Sequence, residues 1–122
     1  MIAAPPALLA GAILAATPAG SFFTGRQLLA ACDSRNLFET ADCLGYITGI
    51  ADALGAFQPV LGTRFAVPPV VCLPAGITRG TLRDVAVTHL RQAAARDGQS
   101  ASALVVEALM QSYPCRAGEA AQ

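Results

Sequence analysis

The sequence predicts an all-α protein, a compact bundle of four to five helices pinned by two disulfides. Three observations lead there. Apolar residues recur at spacings of three and four along several stretches, and no stretch alternates with the strand period of two. Small hydroxyl residues that can cap a helix stand just ahead of those stretches. The chain carries four cysteines, an even number, within a length that suits one domain.

The first element begins near Thr24, whose hydroxyl can accept from free amides of the next turn; Leu28, Leu29 and Cys32 form its apolar face. Residues 33–36 (DSRN) are turn chemistry. A second helix is expected from about residue 39 to about residue 57, with Cys43, Ile47, Ile50, Ala51 and Leu54 on one face. Gly45 and Gly49 lie four apart within it, with Ala53 extending the row. Glycine in a helix interior costs about 1 kcal/mol against alanine, and close approach of another helix or plain tolerance both account for the pair.

Residues 58–74 carry Pro59, Pro68, Pro69 and Pro74, and that density predicts a loop with at most a short helical turn. The segment is nonetheless apolar, which suits either a loop packed over the core and tied down by Cys72, the favoured account, or a contact surface, with Arg64 and Phe65 at its middle as the most exposed part. A third helix follows Thr78, burying Leu82, Val85, Ala86 and Leu90. His89 is placed at the edge of that face, half-buried. Arg96-Asp97-Gly98-Gln99 breaks the pattern, with Gly98 suited to the left-handed position. Ser100 caps a fourth helix with Leu104, Val105, Ala108 and Leu109 inward, and Pro114 ends it. Residues 116–122 are expected to fray.

Ahead of all this, residues 7–16 (ALLAGAILAA) form an apolar run followed by Thr17-Pro18-Ala19-Gly20. The run is too short to span a bilayer, which takes about 20 apolar residues. Small side chains at Thr17 and Ala19 suit signal peptidase. Only the α-amino group of Met1 supplies positive charge before the run, where a signal ordinarily has Lys or Arg. The expectation is a signal peptide at 1–19, export, and a mature domain at 20–122; a buried N-terminal helix is the competing account.

In an exported chain four cysteines read as two disulfides, with three possible connectivities. Cys32 ends the first mature helix and Cys43 opens the second; Cys72 precedes the third and Cys115 follows the fourth. Helical hairpins bring those ends together, which favours Cys32–Cys43 with Cys72–Cys115. Cys43–Cys72 with Cys32–Cys115 remains open.

Several function classes are disfavoured. Eight cations balance eight carboxylates, so no basic face for nucleic acid is implied. There is no C-x-x-C and a single histidine, so no metal set and no cofactor is expected. No serine lies in a nucleophile-elbow setting. Asp42 and Asp52 stand about 15 Å apart along one helix at 1.5 Å per residue, too far to share a substrate. Binding, not catalysis, is the expected work. Contact candidates are Arg64 and Phe65, because Arg and aromatic side chains anchor tight complexes, and the polar turn Arg96, Asp97, Gly98 and Gln99.

Five blocks carry a family resemblance: TGRQLLAAC at 24–32, CLGYITGIADAL at 43–54, CLPAGITRGTLRDV at 72–85, LVVEAL at 104–109 and YPC at 113–115. In this order they resemble the Rap/Tai family of type VI secretion immunity proteins. The resemblance implies a compact helical periplasmic protein, often a homodimer, that binds and blocks a peptidoglycan amidase effector and needs no cofactor. The blocks hold cap, cysteine and core positions, and no effector-contacting motif maps onto this chain. Two other functions fit a helical, disulfide-pinned scaffold: an HdeA-like periplasmic stress chaperone, and an envelope interaction protein with no toxin partner.

Overall fold

The computed structural model of the protein describes Ala3 and residues 21–119. Apart from Ala3, the expected signal peptide at 1–19 lies outside the described residues. Four helices make up the fold: α1 (Gly25–Asp33), α2 (Leu37–Phe65), α3 (Arg79–Gln92) and α4 (Ala101–Ser112), with a 3₁₀ turn at Ala94–Arg96 between the last two. Among the described residues there is no strand, only isolated bridges at Thr24–Ser100 and Val71–Pro114.

Each helix starts where a polar side chain can satisfy its free amides. Thr24 and Gln27 form a reciprocal capping box at α1, Asn36 accepts from Phe38 and Glu39, Thr78 accepts from Thr81, and Ser100 accepts from Ala103. Every helix packs on the other three. Leu28, Ile47, Leu104, Val105 and Leu109 are fully buried at the centre, with Cys43, Leu82, Ala86 and Leu90 around them. Burying such an aliphatic side chain contributes about 2 kcal/mol, which makes this cluster the main source of stability.

The disulfides are Cys32–Cys43 and Cys72–Cys115, as the helix-end geometry favoured. The first staples the α1–α2 hairpin at its turn. The second ties the approach to α3 to the exit from α4.

The expected loop at 58–74 is corrected in its first half. Helix α2 runs on to Phe65 with Pro59 inside it. Proline in a helix interior removes one amide and costs about 3 kcal/mol, which the anchoring of the helix by Gln58 at that point, described below, helps to offset. The helix stops instead where Ala66 turns left-handed (φ 54°), two residues before Pro68 and Pro69. Proline in that position cannot continue a helix. The short helical turn expected in the loop stands instead at Ala94–Arg96.

One smaller expectation also changes. Gly98 does not take a positive φ; among the described glycines only Gly76 and Gly118 do. Of the two accounts of Gly45 and Gly49, plain tolerance fits: nothing among the described residues lies within 4 Å of where a Cβ would stand. Of the end expected to fray, residues 120–122 lie outside the described residues, and 116–119 form an exposed turn through Glu119 N–H to Arg116 O and Arg116 N–H to the Glu119 carboxylate.

Candidate partner-binding surface

The inward stripe of α2 continues through Leu54, Gln58, Leu61 and Phe65 at spacings of four, three and four. As far as Gln58 the bundle covers it. Beyond that point the helix leaves the bundle, and all residues from 59 to 68 are exposed. Phe65 is 70% exposed, Phe57 64% and Val60 51%, with Leu61, Val67 and Val70 also solvent-facing. Seven residues at 1.5 Å each carry the helix about 10 Å past Gln58.

Gln58 is the hinge pin of this protrusion. Its side chain is buried, 7% exposed. Its Nε2 donates to Val71 O (2.9 Å), and its Oε1 accepts from Val70 N–H (2.8 Å) and Val71 N–H (3.0 Å). The chain leaving Ala66 is thus folded back along the helix it came from. Val67 N–H reaches Leu61 O, Val71 is buried, and Cys72 N–H donates to Tyr113 O beside the Cys72–Cys115 bond. The protrusion has two layers, a helix outward and an extended segment returning, both apolar.

Arg64 and Phe65 sit in its last helical turn. Arg64 is the sole ionisable residue between positions 53 and 78, and it pairs with no acid among the described residues.

The second sequence candidate occupies different ground. The turn 96–99 is docked on the start of α1. Gly25 N–H donates to Gln99 O and Arg26 N–H to Asp97 O, and the Arg26 guanidinium grips the Asp97 carboxylate at 2.9 and 3.1 Å. Arg96 reaches α4, donating to both oxygens of Glu107 at 3.1 and 2.9 Å. The bond from Arg96, and then that from His89, hold the Glu107 carboxyl down at about 2. Asp97 is likewise lowered by the hydrogen bond from Arg26. Gly98 and Gln99 are exposed, and the Gln99 side chain accepts from Arg96. The approach is close enough that a Cβ on Gly25 would stand 2.5 Å from Leu104 Cδ1.

His89 is more buried than expected, 7% exposed, with Nε2 3.1 Å from Glu107 Oε2. Its ring bridges α3 to α4. A groove of about 720 Å³ between α2 and the start of α3 presents Thr48, Asp52 and Arg79 over Leu73, Ile77 and Leu82, with no imidazole or thiol. Among the described residues no group of three His, Cys, Asp or Glu could hold a metal, and no helix is long and apolar enough to cross a membrane.

The sequence reading found Arg64 and Phe65 but not the surface they belong to. Phe57, Val60, Leu61, Val67 and Val70 fall at the expected end of the second helix and in the expected loop, and join Arg64 and Phe65 on one surface. The signal was present in the unbroken three-four spacing through residue 65, overruled by the prolines.

A helical scaffold held by two disulfides, with an apolar protrusion anchored by a buried glutamine, belongs to the class of small binding proteins. The chain is a member of the Rap1a immunity protein family, which it matches over residues 24–115, from the cap of α1 to the last cysteine. That is the family the five sequence blocks resemble, and its members' implied partner is a protein effector. No curated protein and no solved structure matches the chain.

Proposed function

We propose that this protein is a periplasmic immunity protein that binds a type VI secretion peptidoglycan amidase effector and occludes it, with no catalysis and no cofactor of its own. In this reading residues 1–19 direct export, and the mature domain at 20–122 acts as a monomer or homodimer. The observation that carries it is family membership across nearly all the described chain. Two disulfides support export, since such bonds persist in oxidising compartments. Arg64 and Phe65 are proposed as effector contacts. The turn 96–99 is the second candidate, with Gly98 and Gln99 as its available part, because Arg96 and Asp97 already hold internal ion pairs.

The test is a pull-down of oxidised 20–122 against a panel of purified cell-wall amidase effectors, with affinity read by calorimetry. A nanomolar complex that abolishes peptidoglycan hydrolysis is the expected result. Absence of binding to every amidase would remove the amidase assignment and leave an immunity-family scaffold with a different partner.

A further inference from the structure

We infer that the groove between α2 and the start of α3 is a second binding site, and that it takes a short linear peptide with both termini free, the ammonium group on Asp52 and the carboxylate on Arg79. This site is distinct from the α2 protrusion and does not depend on which effector the protein meets. Charge comes first. Five arginines of the chain hold carboxylates within the fold. Asp52 and Arg79 are both exposed, and neither makes an ion pair or side-chain hydrogen bond with any described residue, yet they line the same groove. Asp52 stands on α2, and Arg79 opens α3, where the positive end of the helix dipole adds to its guanidinium. A simple anion would be repelled by Asp52 and a simple cation by Arg79, so the occupant that answers both carries both signs.

Size and lining supply the second argument. The groove encloses about 720 Å³, within the range of about 300–1,000 Å³ that small-molecule clefts occupy. From Thr48 to Gly55 its α2 wall runs about 10 Å at 1.5 Å per residue, the span of about three extended residues at roughly 3.4 Å each. Ala51 and Leu82 are buried under the groove, and Leu73 and Ile77 are half-buried beside them. An apolar side chain in the middle of the peptide therefore leaves water between the two charged ends. Rigidity is the third. Cys72–Cys115 holds the chain just before Leu73, and Ile77 N–H closes on Pro74 O (3.3 Å) with Gly76 in the left-handed region (φ 78°). The wall opposite α2 is thus fixed before a ligand arrives, which lowers the ordering cost of binding.

The experiment titrates the oxidised mature chain with the tripeptide alanyl-leucyl-alanine, read by calorimetry and by amide chemical shifts. Saturable binding with a submillimolar Kd is expected, with shifts at Leu73, Ile77 and Leu82. Acetylating the peptide's amino end, or amidating its carboxyl end, should each weaken binding about tenfold by removing one charge-assisted contact. Asp52→Asn should bind the free and acetylated peptides alike while still preferring a free carboxylate, and Arg79→Gln should show the mirror pattern. Both side chains are exposed and make no bond within the fold, so both variants should melt with the parent in circular dichroism. A merely structural role would weaken every peptide equally. No saturable binding by the parent, or variants that keep the parent's preference for both free ends, would overturn the inference. Sedimentation against concentration runs in parallel. If the tripeptide does not bind and the same substitutions change self-association instead, the groove belongs to a second copy, and the inference fails. None of these outcomes bears on binding to an amidase, so the immunity reading stands or falls separately.

Discussion

Replacing Gln58 with leucine keeps the size of the side chain and removes its polar end. Three hydrogen bonds go with it: Nε2 to Val71 O, and the Val70 and Val71 amides to Oε1. Each contributes about 1 kcal/mol net, so Gln58→Leu should cost about 3 kcal/mol. Val71 is buried, and its N–H and C=O both lose this partner in the variant. For a domain of about a hundred residues, 1 kcal/mol moves the melting point by about 5 °C, giving a drop near 15 °C. Urea denaturation of the oxidised protein should show the same loss as a lower midpoint at unchanged slope. Hydrogen exchange adds the local signature: Val70 and Val71 amides should lose protection first, ahead of the core of α4. A loss under 1 kcal/mol, or unchanged protection at those two amides, would refute the claim that Gln58 holds the returning segment.

Three further outcomes follow from the same reasoning. Gly45→Ala and Gly49→Ala should each stabilise the protein by about 1 kcal/mol in thermal melts, since both glycines lie inside α2 over open space; a loss of stability would mean that face is covered in solution. Gly25→Ala should destabilise by about 2 kcal/mol, the usual cost of overpacking, because its Cβ would collide with buried Leu104; a neutral melt would show that Leu104 gives way. Glu107 has its folded pKa lowered to about 2, so its contribution is full above the ordinary 4.5 and is lost as pH falls from there through 2. Glu107→Gln should therefore reduce stability at pH 7 and flatten the fall between pH 4.5 and 2, read from urea midpoints across that range.

What could be read in the sequence was what is encoded locally. Thr24, Thr78 and Ser100 announced three helix starts because a cap acts within one turn. The disulfide pairing followed from which helix ends each cysteine occupies. The length of α2 exceeds the expectation because the place of each proline, not their density, decides where the helix ends. Pro59 sits beside an anchoring glutamine, while Pro68 and Pro69 are the real stops. The polar architecture had no local trace. Arg26 and Asp97 are 71 residues apart, Arg91 and Asp33 are 58 apart, and only folding brings them together. The same holds for His89, whose ring meets Glu107 of the next helix, 18 residues on. Gly98 illustrates the opposite error: the residue type suggested a left-handed turn that the docked 96–99 segment does not use.

The two disulfides do not overlap in sequence: 32 joins 43, and 72 joins 115. Cysteines are therefore paired in the order in which they leave a ribosome or a translocation channel. An oxidant that joins each new thiol to the one before it reaches the native bonds directly, with no shuffling among the three possible pairings. Each loop closes within one helical hairpin, so the first bond can form before the second half of the chain has appeared. A protein made in this way needs an oxidase but not an isomerase to mature.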